Sequence, residues 1–294
     1  MRVLAACSLG GAGHLDPLLP FLAAARRRGD ETLIVGPPAL RDMVQRAGYG
    51  FRTGGEPPEV DVAPIRERLP VAPAGEASLL GNRDLFGRMA TTAMLPGMRR
   101  ACGEWSPHLV LREPCEYASA VVAQDMRSPH AQVAISLAEA EAGAIAAAAP
   151  ALEDHRRGLV QEIQGSPYLT RFPASLDPSP FPATVRFRAP GTVDDTALED
   201  WWGASDTPLV YATFGTVLGH MSIAAGIYRM ALAALARLDV RVLLTVGHRF
   251  DRTALEPVPA NVHVEPWVDQ AHVLPEADVV VCHGGSGTVY GALA

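Results

Sequence analysis

Two residues far apart in the sequence could together move a proton. His14 follows a glycine-rich turn at residues 10–13 and stands where a helix begins, facing the place where a cleft would lie. Glu113 ends an apolar run at 108–112 that is typical of a buried strand. Strand ends of one parallel sheet reach the same edge, so a carboxylate there would orient the imidazole and stabilise its charged form. The pattern thus indicates an acid–base pair.

Other interpretations of these residues stay open on spacing alone. A lone histidine at a loop–helix junction also suits capping or packing, and Glu113 could pair with Arg112 at the surface. The positive field of a helix N-terminus disfavours an imidazolium, so we expect His14 to be neutral and able to accept a proton. The turn lacks the third glycine of a dinucleotide fingerprint after Gly13, which argues against nicotinamide or flavin binding.

A second glycine-rich loop, residues 283–288, follows an apolar run at 278–282. Its glycines would let a phosphate approach the backbone, the next helix would offer free N–H groups, and Ser286 and Thr288 would add hydroxyl donors. Upstream, Trp267 could present a flat face on which a base stacks, although packing in the core is an alternative. This half of the chain therefore predicts a phosphate site.

The elements that would position these residues alternate along the chain. Short apolar runs and helical periodicity predict a doubly wound α/β fold with parallel sheets. The predicted strands are 2–7, 31–35, 108–111, 130–136, 209–214, 240–246, 262–264 and 278–282. The predicted helices are 17–28, 38–47, 85–104, 117–125, 138–165 and 222–238, and residues 51–82 are predicted to be irregular.

Proline-rich sequence before residue 190 predicts a boundary between two Rossmann-like domains. The predicted division is a first domain at 1–190, a linker at 191–205 and a second domain at 206–294.

Composition excludes several classes of function. The chain of 294 residues contains no lysine, so it has no Schiff-base or Walker lysine, and its net charge of −7 argues against binding nucleic acid. Its four cysteines form no C-x-x-C pair, so we expect reduced thiols and neither zinc nor redox chemistry. We find no signal peptide and no apolar run near the ~20 residues of a membrane span. We therefore expect a cytoplasmic protein with no membrane partner.

Five segments together resemble a known family. Residues 13–20 match its N-terminal "GHxxPxxPLA" segment, 109–118 match the strand that ends in an acidic residue, and 210–216 match the opening of its second domain. Residues 267–270 and 283–288 match its nucleotide-sugar signature. The chain resembles, over essentially its whole length, the GT-B glycosyltransferases of the UDP-glycosyltransferase-like superfamily (family 1), and most of all the actinobacterial enzymes that glycosylate polyketide, enediyne and other antibiotics.

The resemblance implies inverting, metal-independent transfer of a sugar from a dTDP- or UDP-sugar to a hydroxyl of a hydrophobic aglycone. It assigns acceptor binding to the Rossmann-like domain at 1–190 and nucleotide-sugar binding to the partial Rossmann-like domain at 206–294. His14 would deprotonate the acceptor hydroxyl and Glu113 would be its acidic partner; no metal or cofactor is implied. The implied donor-binding residues are Thr216, Trp267, Val268, Gln270, His283, Gly284, Gly285, Ser286, Gly287 and Thr288. Apolar residues in the acceptor region suggest contacts with the aglycone, and these are Leu79, Leu80, Phe86 and Met94.

The chain departs from the family pattern at three places. Asp269 stands where the family usually has proline, and Glu113 stands where aspartate is common. The family also continues well beyond the second glycine loop, with an acidic residue and a glutamine that bind the donor sugar. We therefore expect an enzyme whose second domain is truncated in this chain, which would leave the donor site incomplete and could make the chain inactive.

Two other functions remain open at this stage. A sugar-nucleotide epimerase or hydrolase of the same fold would need no aglycone cleft, so the loose segment 52–84 weighs against it. A non-catalytic auxiliary partner of a glycosyltransferase would not need His14 and Glu113, although a missing end would suit it. The expected ligands are a nucleotide sugar and a small aglycone, and a homodimer stays open.

Overall fold

The computed structural model describes residues 1–9, 11–188, 198–199, 201–202, 206–215, 218–221 and 223–293. Contacts between Cα atoms divide the chain into two units, Met1–Ala189 and Pro190–Ala294. Most of the predicted linker at 191–205 lies outside the described residues.

The described part of the first unit forms one parallel sheet with strands in the order β3-β2-β1-β4-β5-β6-β7. These strands are β1 Arg2–Ala6, β2 Glu31–Gly36, β3 Gly50–Thr53, β4 Leu109–Arg112, β5 His130–Val133, β6 Tyr168–Thr170 and β7 Thr184–Arg186. The α-helices are α1 Ala12–Leu15, α2 Leu19–Arg27, α3 Arg41–Arg46, α4 Glu59–Arg68, α5 Ala74–Ser78, α6 Thr91–Trp105, α7 Ala118–Met126, α8 Ala138–His155 and α9 Leu159–Gly165. A π-helix spans Leu79–Ala90, and 3-10 turns span Asp16–Leu18 and Pro38–Leu40.

The core of this unit lies on both faces of the sheet. Val3 and Ala5 of β1 pack with Leu22 of α2, whereas Leu4 and Ala6 pack on the opposite face with residues of α6 and α7. Successive strand residues point to opposite faces, so a strand that is buried on both sides must be apolar throughout. That requirement explains why β1 is a continuous apolar run.

Part of the segment expected to be irregular is helical. The helices α4 and α5 fall within residues 51–82, the π-helix begins at Leu79 near the end of this segment, and β3 lies at its start. The sequence of α4 has no apolar stripe, and only Val62 of this helix is buried. Pro64 also lies inside it. A helix without an apolar face gives no periodic signal.

The remaining differences in the first unit concern boundaries and short strands. The predicted helix 138–165 is divided into α8 and α9, and Gly158 between them has a φ of +80°. The strands β6 and β7 lie in sequence that we expected to be a proline-rich connection. Each has three residues, which is too short to show an alternating pattern.

The described part of the second unit forms a parallel sheet in the order β10-β9-β8-β11. Its strands are β8 Leu209–Thr213, β9 Arg241–Thr245, β10 Val262–Glu265 and β11 Val279–Cys282. Its helices are α10 Ala224–Leu235, α11 Gln270–Val273 and α12 Ser286–Leu293, with 3-10 turns at Leu218–His220 and Arg252–Leu255. None of the helices in the described part of the chain has the length and apolar character needed to cross a membrane.

Candidate active site

His14 and Glu113 meet at the carboxyl edge of the first sheet. The strands β1 and β4 are neighbours, with Ala6 opposite Arg112, so the residues after both strands emerge side by side. Nδ1 of His14 lies 3.2 Å from Oε2 of Glu113, which is an ion-pair distance, although the two atoms are not aligned as a hydrogen bond. The juxtaposition expected from the strand ends is therefore present.

The carboxylate of Glu113 is completely buried and held by several donors. The backbone N–H of Ser8 donates to Oε1 at 2.9 Å, and the Ser8 hydroxyl donates to the same oxygen. The N–H of Cys115 donates to Oε2 at 2.7 Å. Sequence reasoning missed Ser8, although a hydroxyl directly beyond the carboxyl end of β1 was the available signal.

Arg112 supports the loop that carries Glu113 rather than pairing with its carboxylate. Its guanidinium is completely buried, and Nη1 donates to the carbonyl oxygens of Glu113, Pro114 and Glu116 at 3.2–3.3 Å. The alternative of a surface pair between Arg112 and Glu113 is therefore wrong. Buried guanidinium donors need acceptors, and the backbone of the loop supplies them for Nη1.

The two partners shift each other's proton affinity. Burial alone would lower the pKa of His14, but the charge of Glu113, the contact with it and the charge of Glu141 together raise that pKa above 6.5. Burial alone would raise the pKa of Glu113, but the charge of His14, the contact with its ring and the hydrogen bonds from Ser8 lower it. The expectation that a helix terminus keeps His14 neutral is thus corrected. The helix α1 has only four residues, and the buried carboxylate outweighs its field.

The predicted acceptor residues separate into two groups. The Phe86 ring stacks beside the His14 ring, with centroids 6.4 Å apart and planes 27° apart. Leu79 and Leu80 lie on the same π-helix and are exposed and half-buried, respectively. The prediction that Met94 contacts the aglycone is wrong, because its side chain is 1% exposed and packs in the core of the first unit. Its apolar type had suggested an acceptor contact, but the inward face of α6 buries it.

In the second unit the turn after β8 lies beside the predicted glycine-rich loop. The strand β11 pairs with β8, with Cys282 opposite Thr213, so the turn at 214–215 faces the loop at 283–285. A Cβ atom added to Gly215 or Gly285 would lie 2.7 or 2.6 Å from Cε1 of His283, so both glycines leave room for this ring. Thr216 lies outside the described residues.

The other predicted donor residues in this unit form a polar group. The Gln270 amide donates to the Thr288 hydroxyl at 2.9 Å, and Ser286 begins the helix α12. Asp269, where the family usually has proline, caps α11 by accepting from the N–H of Ala271 at 2.9 Å. Asp269 in place of the usual proline therefore still provides an N-cap for α11.

Of the remaining predicted donor residues, Trp267 is exposed and Val268 is partly packed. Trp267 is 52% exposed, so its packing in the core is excluded, and its ring stacks near His248 at 6.3 Å. Val268 packs partly against the core beside β8 and β9. Gly284 adopts a φ of +81°, and Gly287 is an exposed position in α12.

Within the described residues no group of three or more acidic, histidine or cysteine side chains is arranged to hold a metal.

Known proteins resemble this chain along its length. The N-terminal domain of erythromycin biosynthesis protein CIII-like proteins matches residues 23–205. Elloramycin glycosyltransferase ElmGT of Streptomyces olivaceus is 31% identical, over 100% of this chain and 78% of its own. The crystal structure of the glycosyltransferase SnogD from Streptomyces nogalater has a TM-score of 0.75 at 27% identity, over 100% of this chain and 79% of SnogD. The spinosyn rhamnosyltransferase SpnG complexed with thymidine diphosphate has a TM-score of 0.74 at 22% identity, over 99% of this chain and 78% of SpnG.

These matches confirm the expected resemblance, the α/β fold class and the transferase class. The chain therefore belongs to the erythromycin biosynthesis protein CIII-like glycosyltransferases and has their GT-B fold.

Proposed function

We propose that this protein transfers a sugar from a dTDP- or UDP-sugar to a hydroxyl group of an apolar natural product, with inversion and without a metal ion. The observation that carries the proposal is the ion pair between His14 and the fully buried Glu113 at a sheet edge, with Phe86 beside the imidazole. The thymidine diphosphate bound to SpnG supports a nucleotide-linked donor. The naming of ElmGT for elloramycin supports a natural-product acceptor.

The proposed chemistry follows from the two ring nitrogens of His14. Nδ1 faces Glu113, which leaves Nε2 to accept the proton of the acceptor hydroxyl. The oxygen then attacks the anomeric carbon as the bond to the diphosphate breaks. Glu113 stabilises the imidazolium that forms, because it stays ionised beside the ring.

Donor binding is proposed for the polar group of the second unit. The hydroxyls of Ser286 and Thr288 and the imidazole of His283 would contact the diphosphate. The N–H groups at the start of α12 would add partial positive charge, which stabilises a leaving diphosphate without a metal ion. The exposed ring of Trp267 would stack on the base.

One assay separates the proposed function from other uses of the same fold. The purified protein is incubated with dTDP- and UDP-sugars, with and without a panel of aromatic polyketide hydroxyls, and products are followed by mass spectrometry. Glycoside formation supports the proposal. Donor turnover without an acceptor would instead indicate an epimerase or hydrolase, and binding without turnover would indicate a non-catalytic partner.

The pH dependence of transfer should report the proton affinity of His14. Because the base must be unprotonated, we expect kcat/KM to fall on the acid side with a midpoint above 6.5, the ordinary value for histidine. The measurement is a pH–rate profile with a saturating donor. An acid limb below 6.5 would contradict a base paired with an ionised Glu113.

Gly285→Ala should weaken nucleotide binding by displacing His283. The new Cβ would lie 2.6 Å from the imidazole, so the ring must move. We expect dTDP affinity to fall about tenfold, the loss of roughly one good contact. The matched control is Gly226→Ala in α10, where a Cβ meets nothing within 4 Å and affinity should not change. Equal affinities of the two variants in calorimetric titration would argue against a donor role for His283.

A further inference from the structure

The Phe86 ring reaches His14 from an unusual helix. Residues Leu79–Ala90 form a π-helix, in which an N–H donates to the carbonyl oxygen five residues earlier. Such helices are rare and occur often at functional sites. The N–H of Thr91 donates to the Phe86 carbonyl in this pattern, and the Thr91 hydroxyl donates to the same oxygen at 2.8 Å. The backbone at Phe86 is therefore fixed at the C-terminal end of the π-helix.

The π-helix is also fixed sideways, by close packing against α8. Gly87 is buried, and a Cβ atom added to it would lie 3.2 Å from the Cβ of Ala148 and 3.3 Å from the Cβ of Ala151. It would also lie 3.0 Å from the carbonyl oxygen of Asn82 in the π-helix itself. Contacts this short require the neighbours to give way, and Cβ and backbone atoms cannot rotate aside as a long side chain can. Glycine at residue 87 thus allows the close approach of the two helices.

A hydrogen bond from α8 holds the same residue of the π-helix. His155 is the last residue of α8, and its Nε2 lies 3.0 Å from the carbonyl oxygen of Gly87. A carbonyl oxygen can only accept, so Nε2 carries the proton and donates it to this bond. Gly87 is therefore held twice by α8, through packing and through its carbonyl oxygen, and it directly follows Phe86 in the chain.

The Phe86 side chain extends from this fixed backbone to His14. It packs partly against the core cluster that contains Ile145, Ala148 and Leu152 of α8. Its ring lies 6.4 Å from the His14 ring, with planes 27° apart. A change in the spacing between the π-helix and α8 would therefore displace the ring that borders the imidazole.

We propose that Gly87 and His155 are positioning residues: together they set the spacing between the π-helix and α8, and so the place of the Phe86 ring beside His14. The effect on the two rings does not depend on the reaction, whereas the consequence for the acceptor rests on the proposed function. In that function the acceptor hydroxyl approaches Nε2 of His14 beside Phe86, so a displaced ring changes how the acceptor is held and leaves donor binding unchanged. Small misplacements of a bound reactant lower the rate, because transfer requires aligned reacting atoms.

Gly87→Ala tests the packing contact. The methyl group should push the π-helix away from α8, so we expect kcat/KM for the acceptor to fall about three- to tenfold while the affinity for dTDP stays unchanged. A second readout is NMR of the His14 imidazole in histidine-labelled whole protein. Phe86→Leu identifies the His14 resonances that feel the ring current of Phe86, and the same resonances should shift in Gly87→Ala.

The matched control is Gly81→Ala, the same change in the same π-helix. A Cβ atom at this position meets only the Leu69 side chain within 4 Å, at the ordinary contact distance of 3.8 Å. Transfer and the His14 resonances should both stay as in the parent protein. The control therefore separates the contact with α8 from a general effect of alanine on the π-helix.

His155→Leu tests the hydrogen bond without adding volume between the helices. It removes the donor to the Gly87 carbonyl, so the same His14 resonances should shift, and kcat/KM for the acceptor should fall about fivefold, the net contribution of one hydrogen bond. His155→Gln places an amide nitrogen where Nε2 stands and should restore both readouts. Rescue by glutamine distinguishes a positioning role from a general loss of stability.

The outcomes of these experiments separate this proposal from the proposed function. Unchanged His14 resonances in Gly87→Ala and His155→Leu, equal shifts in Gly81→Ala, or no rescue by His155→Gln would each overturn the proposal. If Gly87→Ala does not fold, His155→Leu and its rescue decide. If the resonances shift as expected but the parent protein transfers no sugar, the proposed function fails while the positioning roles stand. If the parent protein transfers sugar, acceptor kcat/KM should fall in the variants whose resonances shift.

Discussion

His14→Ala should lower kcat by at least about a hundredfold while the affinity for dTDP stays unchanged. A positioned general base contributes about 10²–10⁴ in rate, and alanine leaves no group to take the acceptor proton. Glu113 cannot substitute, because its carboxylate is buried and already accepts from Ser8 and Cys115. The fold should tolerate the change, since these hydrogen bonds remain and His14 is partly exposed.

The measurements for this variant are steady-state turnover and calorimetric titration with dTDP. Unchanged nucleotide affinity shows that the second unit is intact, so a loss of turnover is then a loss of the base. Added imidazole, which can enter the space left by the ring, should restore part of the rate. Turnover within about threefold of the parent protein would refute the role of His14.

The pairing of His14 with Glu113 could be predicted because it depends on topology rather than on side-chain detail. Two apolar runs that both end in polar residues belong to one parallel sheet, and adjacent parallel strands bring their ends together. The groups that hold the Glu113 carboxylate were not predictable in the same way. The N–H of Cys115 donates to Oε2, and only the path of the loop after β4 brings it there.

Errors in the sequence interpretation have a common physical origin. Apolar character does not distinguish a pocket wall from a core, so Met94 and Phe86 were placed together although one is buried and the other stacks beside His14. The helix α4 was missed because it buries only Val62 and so lacks an apolar stripe. Both errors concern a segment whose packing is set by tertiary contacts and not by local periodicity.

Glu113→Gln should both destabilise the protein and slow catalysis. The carboxylate accepts from donors at each of its oxygens, whereas an amide offers one carbonyl oxygen and turns its NH₂ towards Ser8 or Cys115. Leaving a buried donor facing another donor should cost about 1–3 kcal/mol of unfolding free energy. Loss of the charge that orients His14 and stabilises the imidazolium should reduce kcat by about a hundredfold or more.

The matched control is Glu116→Gln, a buried carboxyl three residues away. Burial raises the pKa of Glu116 to about 7, so the group is already partly neutral near pH 7. Both of its oxygens accept from the N–H of Ser119, and the carbonyl oxygen of a glutamine can still accept from that group. We expect this variant to lose less than about 1 kcal/mol and to retain most of its turnover. Equal losses in both variants would mean that burial alone, and not the pairing with His14, explains the effect.

The pH dependence of the free energy of unfolding distinguishes the contribution of the His14–Glu113 ion pair from that of the hydrogen bonds to Glu113. The pKa of His14 is raised on folding, so its pairing with Glu113 stabilises the protein fully below pH 6.5 and is lost as the pH rises through the folded-state pKa. The lowered pKa of Glu113 acts at the other end, where its contribution is lost as the pH falls below 4.5 and through its folded-state value. Urea unfolding at pH 6 and pH 9 should therefore show that the free energy of unfolding of the parent protein is lower at pH 9. The difference between the two pH values should be smaller for Glu113→Gln. A decline of the same size in both proteins would show that His14 owes its raised pKa to other groups.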